Sequence, residues 1–489
     1  MSDIKEFQEK GIAVNYIYNI IYLVGNMAFP LITFPYVTRV LQAGGLGVVS
    51  FYQTLLHYVI LFFSVGIPMY GIREIAQKRH NIDECSKSLA EILILHLILS
   101  FISYIAIFII CYHSSGIIAN DKLFEILSIQ IILNALGCEW FYKGIEDFQF
   151  ITIRSIIVKI ISVVFLFTFV KHWYDVDNYA WFVVISTAGS NLWNFIRLRK
   201  YIDINLFKEV SLKPFSHIRP SGKVFYFNFI FNTYSVIDVA LLGIIGTTVE
   251  VGFYTGAMKF VLVIAALLSA LSNVLLPRLT SLYEEKKYDE FNTLSAKSFD
   301  YIMAICPMFV FIIISEADDL ITLFCGNTFG PSITTLKILA PLVMTLSIIK
   351  LLGMQLLYPQ GKENKVATTL YISSVIEILS CLILHKTCGH NGVALSVIMA
   401  NVFAIILMSA VCHKNLPVRM KLSHIYYMIF PIISVLCCRE FVVMLNLHAF
   451  FNILLIGALS LSLYFLLLLL LKDEIARYIV ERLLIACRK

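Results

Sequence analysis

The sequence predicts an all-α, polytopic membrane protein with about 14 transmembrane helices, arranged as two pseudo-symmetric six-helix lobes plus two C-terminal helices. Apolar stretches long enough to cross a bilayer recur from near the first residue to near the last. Hydrophobic residues make up 59% of the 489 residues, the mean hydropathy is +0.83, and charged residues make up only 14%. Soluble domains carry about 25% charged residues, so this composition indicates a chain embedded in a membrane.

The apolar stretches define spans of about 20–25 residues, the length needed to cross the hydrocarbon core. In chain order they are 12–34, 46–68, 88–112, 117–141, 150–170, 178–197, 223–246, 252–277, 298–316, 331–358, 366–386, 392–413, 422–445 and 449–471. The sequence between them is too short for a separate soluble domain. The first stretch contains polar residues, so we expect a retained helix there and not a cleaved signal.

Similar segments occur in the same order in two halves of the chain. They are the pairs Asn15-x-x-x-Asn19 and Asn228-x-x-x-Asn232, Phe51-Tyr52 and Phe253-Tyr254, and GCEWFYKGIE and GMQLLYPQGKE. An even number of helices per repeat keeps the orientation, so the repeats are related by an axis along the membrane normal, as in transporters. We expect an N-terminal lobe (1–200), a basic cytoplasmic linker (201–222), a C-terminal lobe (223–413) and helices 13–14 with a cytoplasmic tail (414–489).

Lysine and arginine are concentrated in alternate loops. About 28 of the 38 basic residues lie in the termini and the loops of one side, and about five lie on the other side. Because positively charged loops stay in the cytoplasm, we expect a multi-pass membrane protein with both termini cytoplasmic. This segregation, and not a nucleic-acid partner, accounts for the net charge of +6.

The sequence carries no pattern typical of catalysis. It contains no Walker A sequence, HExxH, paired aspartate motif or GxSxG. The 11 cysteines show no metal-ligand spacing, and most lie inside apolar spans. We therefore expect no catalytic residue, no metal and no bound cofactor, and the protein is not expected to be an enzyme.

Charged residues inside spans usually face a cavity or a partner, because a charge in hydrocarbon costs a few kcal/mol. Asp238 and Lys259 lie at similar depth on consecutive spans, and so do Lys350 and Glu377. Each pair either forms a structural ion pair or contacts substrate, and the sequence leaves both alternatives open. Arg154 is expected to reach the cytoplasmic interface, as long cationic side chains do near a helix end.

Lys159 lies deeper on the same span as Arg154, with no acid nearby in the sequence. A cavity lined by such cations would suit an anionic substrate such as a lipid pyrophosphate. Asn15, Asn19 and Asn26 share one helix face, and Asn228 and Asn232 repeat the pattern in the second half. Amide stripes hold membrane helices together, but their repetition favours the walls of a substrate cavity. Pro30 and Pro35 are expected to kink the first span.

Several further segments are typical of one family. They are Arg39-x-Leu41 followed by GGLGVVSF, then GIREIAQKR, EWFYKGIEDF, VGFYTGAMKF with VLLPRL, LFCGNTFGPS and LLYPQGKEN. In number and order they resemble the Wzx-type polysaccharide transporters, the O-antigen or lipid-linked oligosaccharide flippases of the multidrug/oligosaccharidyl-lipid/polysaccharide exporter superfamily. The resemblance extends over essentially the whole chain.

The resemblance implies two lobes around a cationic, water-filled cavity. It implies alternating-access movement of undecaprenyl-pyrophosphate-linked glycan from the cytoplasmic to the periplasmic leaflet, for O-antigen, capsule or exopolysaccharide synthesis. It further implies coupling to protons or sodium, contact with membrane lipid, and glycosyltransferases and a polymerase of the same pathway as partners. Lys259 lies in the family's recurrent motif of the eighth span, and Asp238 lies where the family often carries an acid.

Two other functions are considered. A drug or cation antiporter of the multidrug-extrusion type belongs to the same superfamily, but WFYKGIEDF and LLYPQGKE would be unexpected there. A membrane polysaccharide polymerase or ligase needs a sizeable periplasmic loop for its acceptor and donor. The longest loop on that side, around Ser315–Gly330, is short and has no basic residue.

Overall fold

The protein is a bundle of α-helices in two compact units. The computed structural model describes residues 12–113, 121–201, 212–234, 236–412, 421–445 and 448–477. Within these ranges the structure contains no strand, which confirms the predicted fold class. The two units comprise Met1–Gly252 and Phe253–Lys489. The predicted division at the linker 201–222 stays a prediction.

The first unit contains nine described helices and the start of a tenth. They are α1 Ile12–Phe63, α2 Ile67–Lys78, α3 Ile82–His113, α4 Asp121–Gly137, α5 Glu139–Gly144, α6 Phe148–Phe169, α7 Val176–Leu198, α8 Ile218–Tyr234, α9 Ile237–Ile245 and α10 Thr248–Glu284. A 3₁₀ turn, Pro214–His217, precedes α8.

The second unit contains most of α10 and the remaining helices. They are α11 Tyr288–Ser315, α12 Ala317–Cys325, α13 Ser332–Leu339, α14 Leu342–Lys350, α15 Glu363–Cys388, α16 His390–Cys412, α17 Leu422–Val443 and α18 Ala449–Leu470. A 3₁₀ turn, Asn327–Phe329, precedes α13, and a π-helical segment, Leu351–Leu357, follows α14.

Eleven of the described helical segments are long and apolar enough to span a membrane, and twelve if the bent pair Asn228–Tyr234 and Ile237–Ile245 is one span. The predicted span 12–34 and most of the predicted span 46–68 lie in α1, which is interrupted at Gln42. The helical rise of its 52 residues sums to about 78 Å, which is enough for two crossings of the hydrocarbon core. The predicted span 178–197 corresponds to α7, whose polar residues keep it out of this count. The number of membrane helices therefore agrees approximately, and not exactly, with the prediction.

The break in α1 lies at Gln42 and not at the prolines. The helix continues through Pro30 and Pro35, whereas Gln42 has φ 57° and ψ −174°. Its backbone lies in the left-handed φ range, which side-chain-bearing residues seldom adopt. This break lies seven residues beyond Pro35 and two residues before Gly44, and a kink at the prolines stays a prediction.

Two glycines allow α1 and the start of α10 to approach closely. A methyl group on Gly47 would overlap the carbonyl oxygen of Thr248, and one on Gly252 would overlap the carbonyl of Ala43. Close backbone approach at small residues is a common way to pack helices in membranes. The segment GGLGVVSF is therefore a helix-packing element of the first unit.

The segments GIREIAQKR and EWFYKGIEDF form one packed element in the first unit, built from α2 and α5. The Trp140 ring lies where a side chain on Gly71 would be, and Ile75 packs against Gly144. Arg79 closes the contact with an ion pair of 2.6 Å to Glu146. Two sequence segments separated by about 60 residues thus have a shared structural role.

In the second unit, α17 and α18 pack on the bundle through α11. Tyr464 donates a hydrogen bond of 2.7 Å to the carbonyl of Ala304. Asp300 of α11 lies 2.9 Å from the Nε2 atom of His424 and 2.5 Å from the Nζ atom of Lys421. These contacts anchor the last two helices, which present broad apolar faces to their surroundings.

Candidate functional site

The candidate site of the first unit is built around Lys159, near the middle of α6. Its ammonium donates a very short hydrogen bond to the Oδ1 atom of Asn26 on α1, and it lies 5.4 Å from the centroid of the Phe29 ring. Within the described part of the chain Lys159 forms no ion pair. The structure therefore brings together two of the predicted site residues, Lys159 and Asn26, and leaves the positive charge without a counter-charge.

Aromatic rings extend from Lys159 along α7. Phe29 stacks on Phe182 with ring centroids 6.0 Å apart and planes inclined by 15°, and Phe182 stacks on Tyr179 at 5.6 Å and 20°. Tyr179 lies one turn inside the start of α7. The sequence interpretation missed these rings. The spacing of Asn26 and Phe29, one helical turn apart, is the signal that could have revealed them.

Arg154 is buried and paired, so the prediction that it reaches the interface is wrong. Its side chain is only 2% exposed and lies 3.2 Å from Glu139, which also accepts from Lys143 at 2.8 Å and from Tyr22 at 3.3 Å. A second hydrogen bond, 2.9 Å long, joins Arg154 to the carbonyl of Ser190. The cluster ties four helices together, because a buried guanidinium needs a carboxylate and carbonyls in place of water.

The described end of the linker is also held by buried polar groups. His217 lies 2.9 Å from Glu91 through Nε2 and 2.7 Å from the hydroxyl of Tyr70 through Nδ1. The backbone amide of Lys213 donates to the other oxygen of Glu91 at 2.9 Å. Glu91 and Glu139 are therefore both engaged by partners on other segments of the chain.

The other four asparagines of the predicted site are Asn15, Asn19, Asn228 and Asn232. Asn15 is buried, and its Oδ1 atom has no hydrogen-bond partner among the described residues, while Asn19 is half-buried. Asn232 donates to the carbonyl of Asn228 at 2.8 Å, one turn earlier in α8. That bond lies within a single helix. The assignment of these four asparagines to a substrate cavity stays a prediction.

Asp238 lies at the start of α9 and not in the middle of an unbroken seventh span. It is 4% exposed, and its carboxylate accepts from the amide of Val239 at 2.8 Å. A helix N-terminus stabilises a negative charge through its free amides and dipole. Lys259 is exposed on α10 and belongs to the second unit. Their predicted pairing stays a prediction.

Lys350 and Glu377 are both in the second unit. Lys350 is half-buried at the end of α14, and Glu377 is 2% exposed in α15. Among the described residues Lys350 takes part in no ion pair, so the structure does not show the pairing that was one of the two predicted alternatives. Contact of Lys350 with substrate stays a prediction.

Comparison with known families decides the classification. The family model described as "Polysaccharide biosynthesis protein" matches residues 12–283, more than half of the chain. The chain belongs to the polysaccharide biosynthesis protein family. This confirms the family membership that the motifs predicted, and the family match includes all of the Lys159 site.

Two curated relatives of this family member carry the same printed name, "Putative O-antigen transporter". The one from Shigella dysenteriae is 24% identical over 78% of this chain and 95% of its own length. The one from Escherichia coli (strain K12) is 21% identical over 81% of this chain and 96% of its own length.

The fold is similar to that of solved transporters. A structure of the lipid II flippase MurJ in an inward closed conformation matches 94% of this chain and 100% of its own, with a TM-score of 0.67 and 13% identity. An inward-facing MATE multidrug transporter of the MOP superfamily matches 84% of this chain and 96% of its own, with a TM-score of 0.65 and 15% identity. At such identities the likeness establishes the fold of this family member: a multi-pass membrane bundle.

Proposed function

We propose that the protein is a flippase that moves a lipid-linked oligosaccharide across the bacterial inner membrane by alternating access. The observation that carries the proposal is Lys159, an ammonium in the middle of a membrane helix with an amide and an aromatic ring as its neighbours. A cation in this position costs a few kcal/mol. The cost is offset when an anionic ligand arrives, and a pyrophosphate linked to a lipid is such a ligand.

The family and the relatives named as O-antigen transporters support this choice of substrate. The substrate would be undecaprenyl-pyrophosphate-linked glycan, delivered from the cytoplasmic to the periplasmic leaflet. A transporter of this kind catalyses no covalent step, so the protein is proposed to act without catalytic residues. Coupling to protons or sodium, both termini in the cytoplasm, and association with glycosyltransferases and a polymerase are parts of the proposal.

Translocation in proteoliposomes tests this function. Purified protein is reconstituted with labelled undecaprenyl-pyrophosphate-oligosaccharide, and the label that becomes accessible to an impermeant reagent is followed over time. We expect transfer that depends on the protein and falls in a Lys159→Gln variant. Folded protein that transfers none of its matching lipid would contradict the proposal.

A drug or cation antiporter is the second candidate, because the MATE fold is almost as similar as the MurJ fold. The two functions differ in their substrates. An antiporter moves a soluble cation in exchange for an ion that flows down its gradient, in liposomes that contain no lipid-linked glycan. A positive result in that assay, together with no lipid transfer, would reverse the order of the candidates.

A further inference from the structure

The loop between α6 and α7 displays three consecutive aromatic side chains to the surroundings. Trp173 is 67% exposed and Tyr174 is 62% exposed, and His172 beside them is exposed as well. The rings of His172 and Tyr174 are stacked at 5.1 Å and 15°, and Trp173 stands against Tyr174 at 5.8 Å and 80°. We call these three residues the aromatic cluster.

The backbone beneath the aromatic cluster is rigidly held. Asp175 accepts hydrogen bonds from the amides of Lys171 and His172 at 2.9 and 2.8 Å. Tyr36 of α1 donates to the carbonyl of Val170 at 2.7 Å, and Asn178 donates to the carbonyl of Phe169 at 2.9 Å. The rings are therefore presented by a preorganised loop, which lowers the ordering cost of binding a ligand.

The aromatic cluster is connected to the Lys159 site by shared elements. Val170 follows the end of the helix that carries Lys159, about 16.5 Å along its axis from that residue. The stacked rings of Phe29, Phe182 and Tyr179 lead from the Lys159 site to the first turn of α7. A cation deep in the bundle, a column of rings and an exposed aromatic cluster thus follow one another along α6 and α7.

We propose that Trp173 and Tyr174 form a binding platform for the saccharide part of the transported lipid, on the face opposite the basic loops. Sugar rings present apolar C–H faces that stack on aromatic rings, and their hydroxyls bond to polar groups such as those of Tyr, His and Lys171. The phosphate end of the same ligand suits Lys159. This inference rests on the proposed function, and it names how the glycan, in addition to the phosphate, is recognised.

Aromatic residues are also common at the membrane interface, where they anchor a protein in lipid headgroups. Three observations favour the glycan. The three rings are consecutive in the chain, and the loop carries an exposed Lys171. Moreover, the loop is fastened to α1, the helix that supplies Asn26 and Phe29 to the Lys159 site.

The test compares two lipids in the translocation assay. One is the lipid-linked oligosaccharide isolated from the cells that naturally make the protein, and the other is the same lipid trimmed to a single sugar. For the double variant Trp173→Ala/Tyr174→Ala we expect transfer of the oligosaccharide lipid to fall about tenfold, the effect of removing two ring contacts. Transfer of the single-sugar lipid is expected to change less than about twofold. The double variant Trp173→Phe/Tyr174→Phe keeps both ring faces and should transfer the oligosaccharide lipid at close to the rate of the unaltered protein.

The matched control is Phe450→Ala/Phe451→Ala, which removes a second exposed aromatic pair, at the start of α18 on the same predicted side. We expect the control to leave both lipids unaffected. Equal losses in the control and in the Trp173/Tyr174 variant, or equal losses for the two lipids, would overturn the platform. If the unaltered protein moves neither lipid, the proposed function fails and the platform falls with it.

Fluorescence supplies a readout that does not depend on transport. The Trp173 contribution is the difference between the emission of the unaltered protein and that of Trp173→Phe. We expect it to change when soluble oligosaccharide released from the same lipid is added, and to be insensitive to brominated lipids. Strong quenching by brominated lipids without a response to oligosaccharide would identify the aromatic cluster as a membrane anchor and overturn the proposal.

Discussion

At the scale of single residues, Lys159 has the clearest functional signature. Its position in the middle of α6, its hydrogen bond to Asn26 and its lack of an ion pair among the described residues all leave its charge available. The sequence identified both residues, because a lysine far from any acid in an apolar span is unusual. The interpretation of the sequence missed Phe29, although its position one helical turn from Asn26 was a usable signal.

We expect Lys159→Gln to lower the initial rate of lipid transfer about tenfold or more, because the amide cannot supply a full charge to a phosphate. The protein should be present at normal abundance, since no buried acid loses its partner. Transfer in proteoliposomes and immunodetection in membranes measure the two quantities. Lys122→Gln, which removes an exposed lysine, is the control. An unchanged transfer rate in Lys159→Gln would exclude this residue from the substrate site.

A second prediction at this scale concerns Asp175. Hydrogen bonds from the amides of Lys171 and His172 lower the pKa of its carboxyl group. Because the pKa is lower in the ordered loop, ionised Asp175 stabilises the loop at every pH above the ordinary pKa of about 3.9. This stabilisation is lost as the pH falls through the lower pKa of the ordered loop. We expect the Trp173 fluorescence to change below about pH 4.

Asp175→Asn should remove that acid transition, because the amide does not titrate. The measurement is a fluorescence titration of both proteins with Trp173→Phe as the reference. A transition of the same midpoint and size in Asp175→Asn would show that another group is responsible.

At the scale of helices, the structure shows that some charged residues and glycines make contacts between helices, which the sequence alone did not reveal. Arg154 and Glu139 are 15 residues apart and lie on different helices that meet in space. Their pairing requires the turn between α5 and α6, and no periodicity within a single span reveals it. For the same reason, Gly47 is recognisable as a contact residue only when α10 is seen beside it.

We expect Arg154→Met to destabilise the protein by about 2–3 kcal/mol, since it leaves the Glu139 carboxylate with Lys143 but without its buried guanidinium. Thermal unfolding in detergent measures the change. Arg79→Met breaks the exposed pair with Glu146 and should cost less than about 1 kcal/mol. The double variant Arg154→Met/Glu139→Gln should recover part of the loss. Equal effects of Arg154→Met and Arg79→Met would argue against a buried pair.

Two glycines three residues apart give the sharpest test of the helix contact. A methyl group on Gly47 meets a backbone carbonyl that cannot move aside, so Gly47→Ala is expected to cost about 3 kcal/mol. Gly44 has only an ordinary contact with Val249, so Gly44→Ala should be neutral or stabilising by about 0.5 kcal/mol through helix propensity. Protein yield and thermal stability measure the effect of each of the two substitutions. Tolerance of alanine at both positions would contradict the close approach.

At the scale of the whole molecule, the predicted pair Asp238 and Lys259 can be tested by exchanging the charges. Asp238 is buried at a helix N-terminus that itself stabilises a carboxylate, and Lys259 is exposed. We therefore expect Asp238→Lys to reduce protein abundance, and the added change Lys259→Asp not to restore it. Lys259→Asp alone should be produced normally and transport poorly. Recovery of abundance and transport in the double variant would instead establish a structural ion pair.

The sequence by itself determined that this is an α-helical membrane protein of the polysaccharide biosynthesis family, with charges and amides placed inside its spans. Composition and the recurrence of apolar stretches are sufficient to identify a membrane protein, because the bilayer imposes the length and polarity of each span. The family follows from the number and order of the motifs. Tertiary structure decided which polar residues form ion pairs or hydrogen bonds with one another and which do not. Arg154 and Glu91 have buried partners on other segments, whereas Lys159 has an amide and an aromatic ring. Partners of this kind come from segments distant in the chain, and only the packing of the helices brings them together.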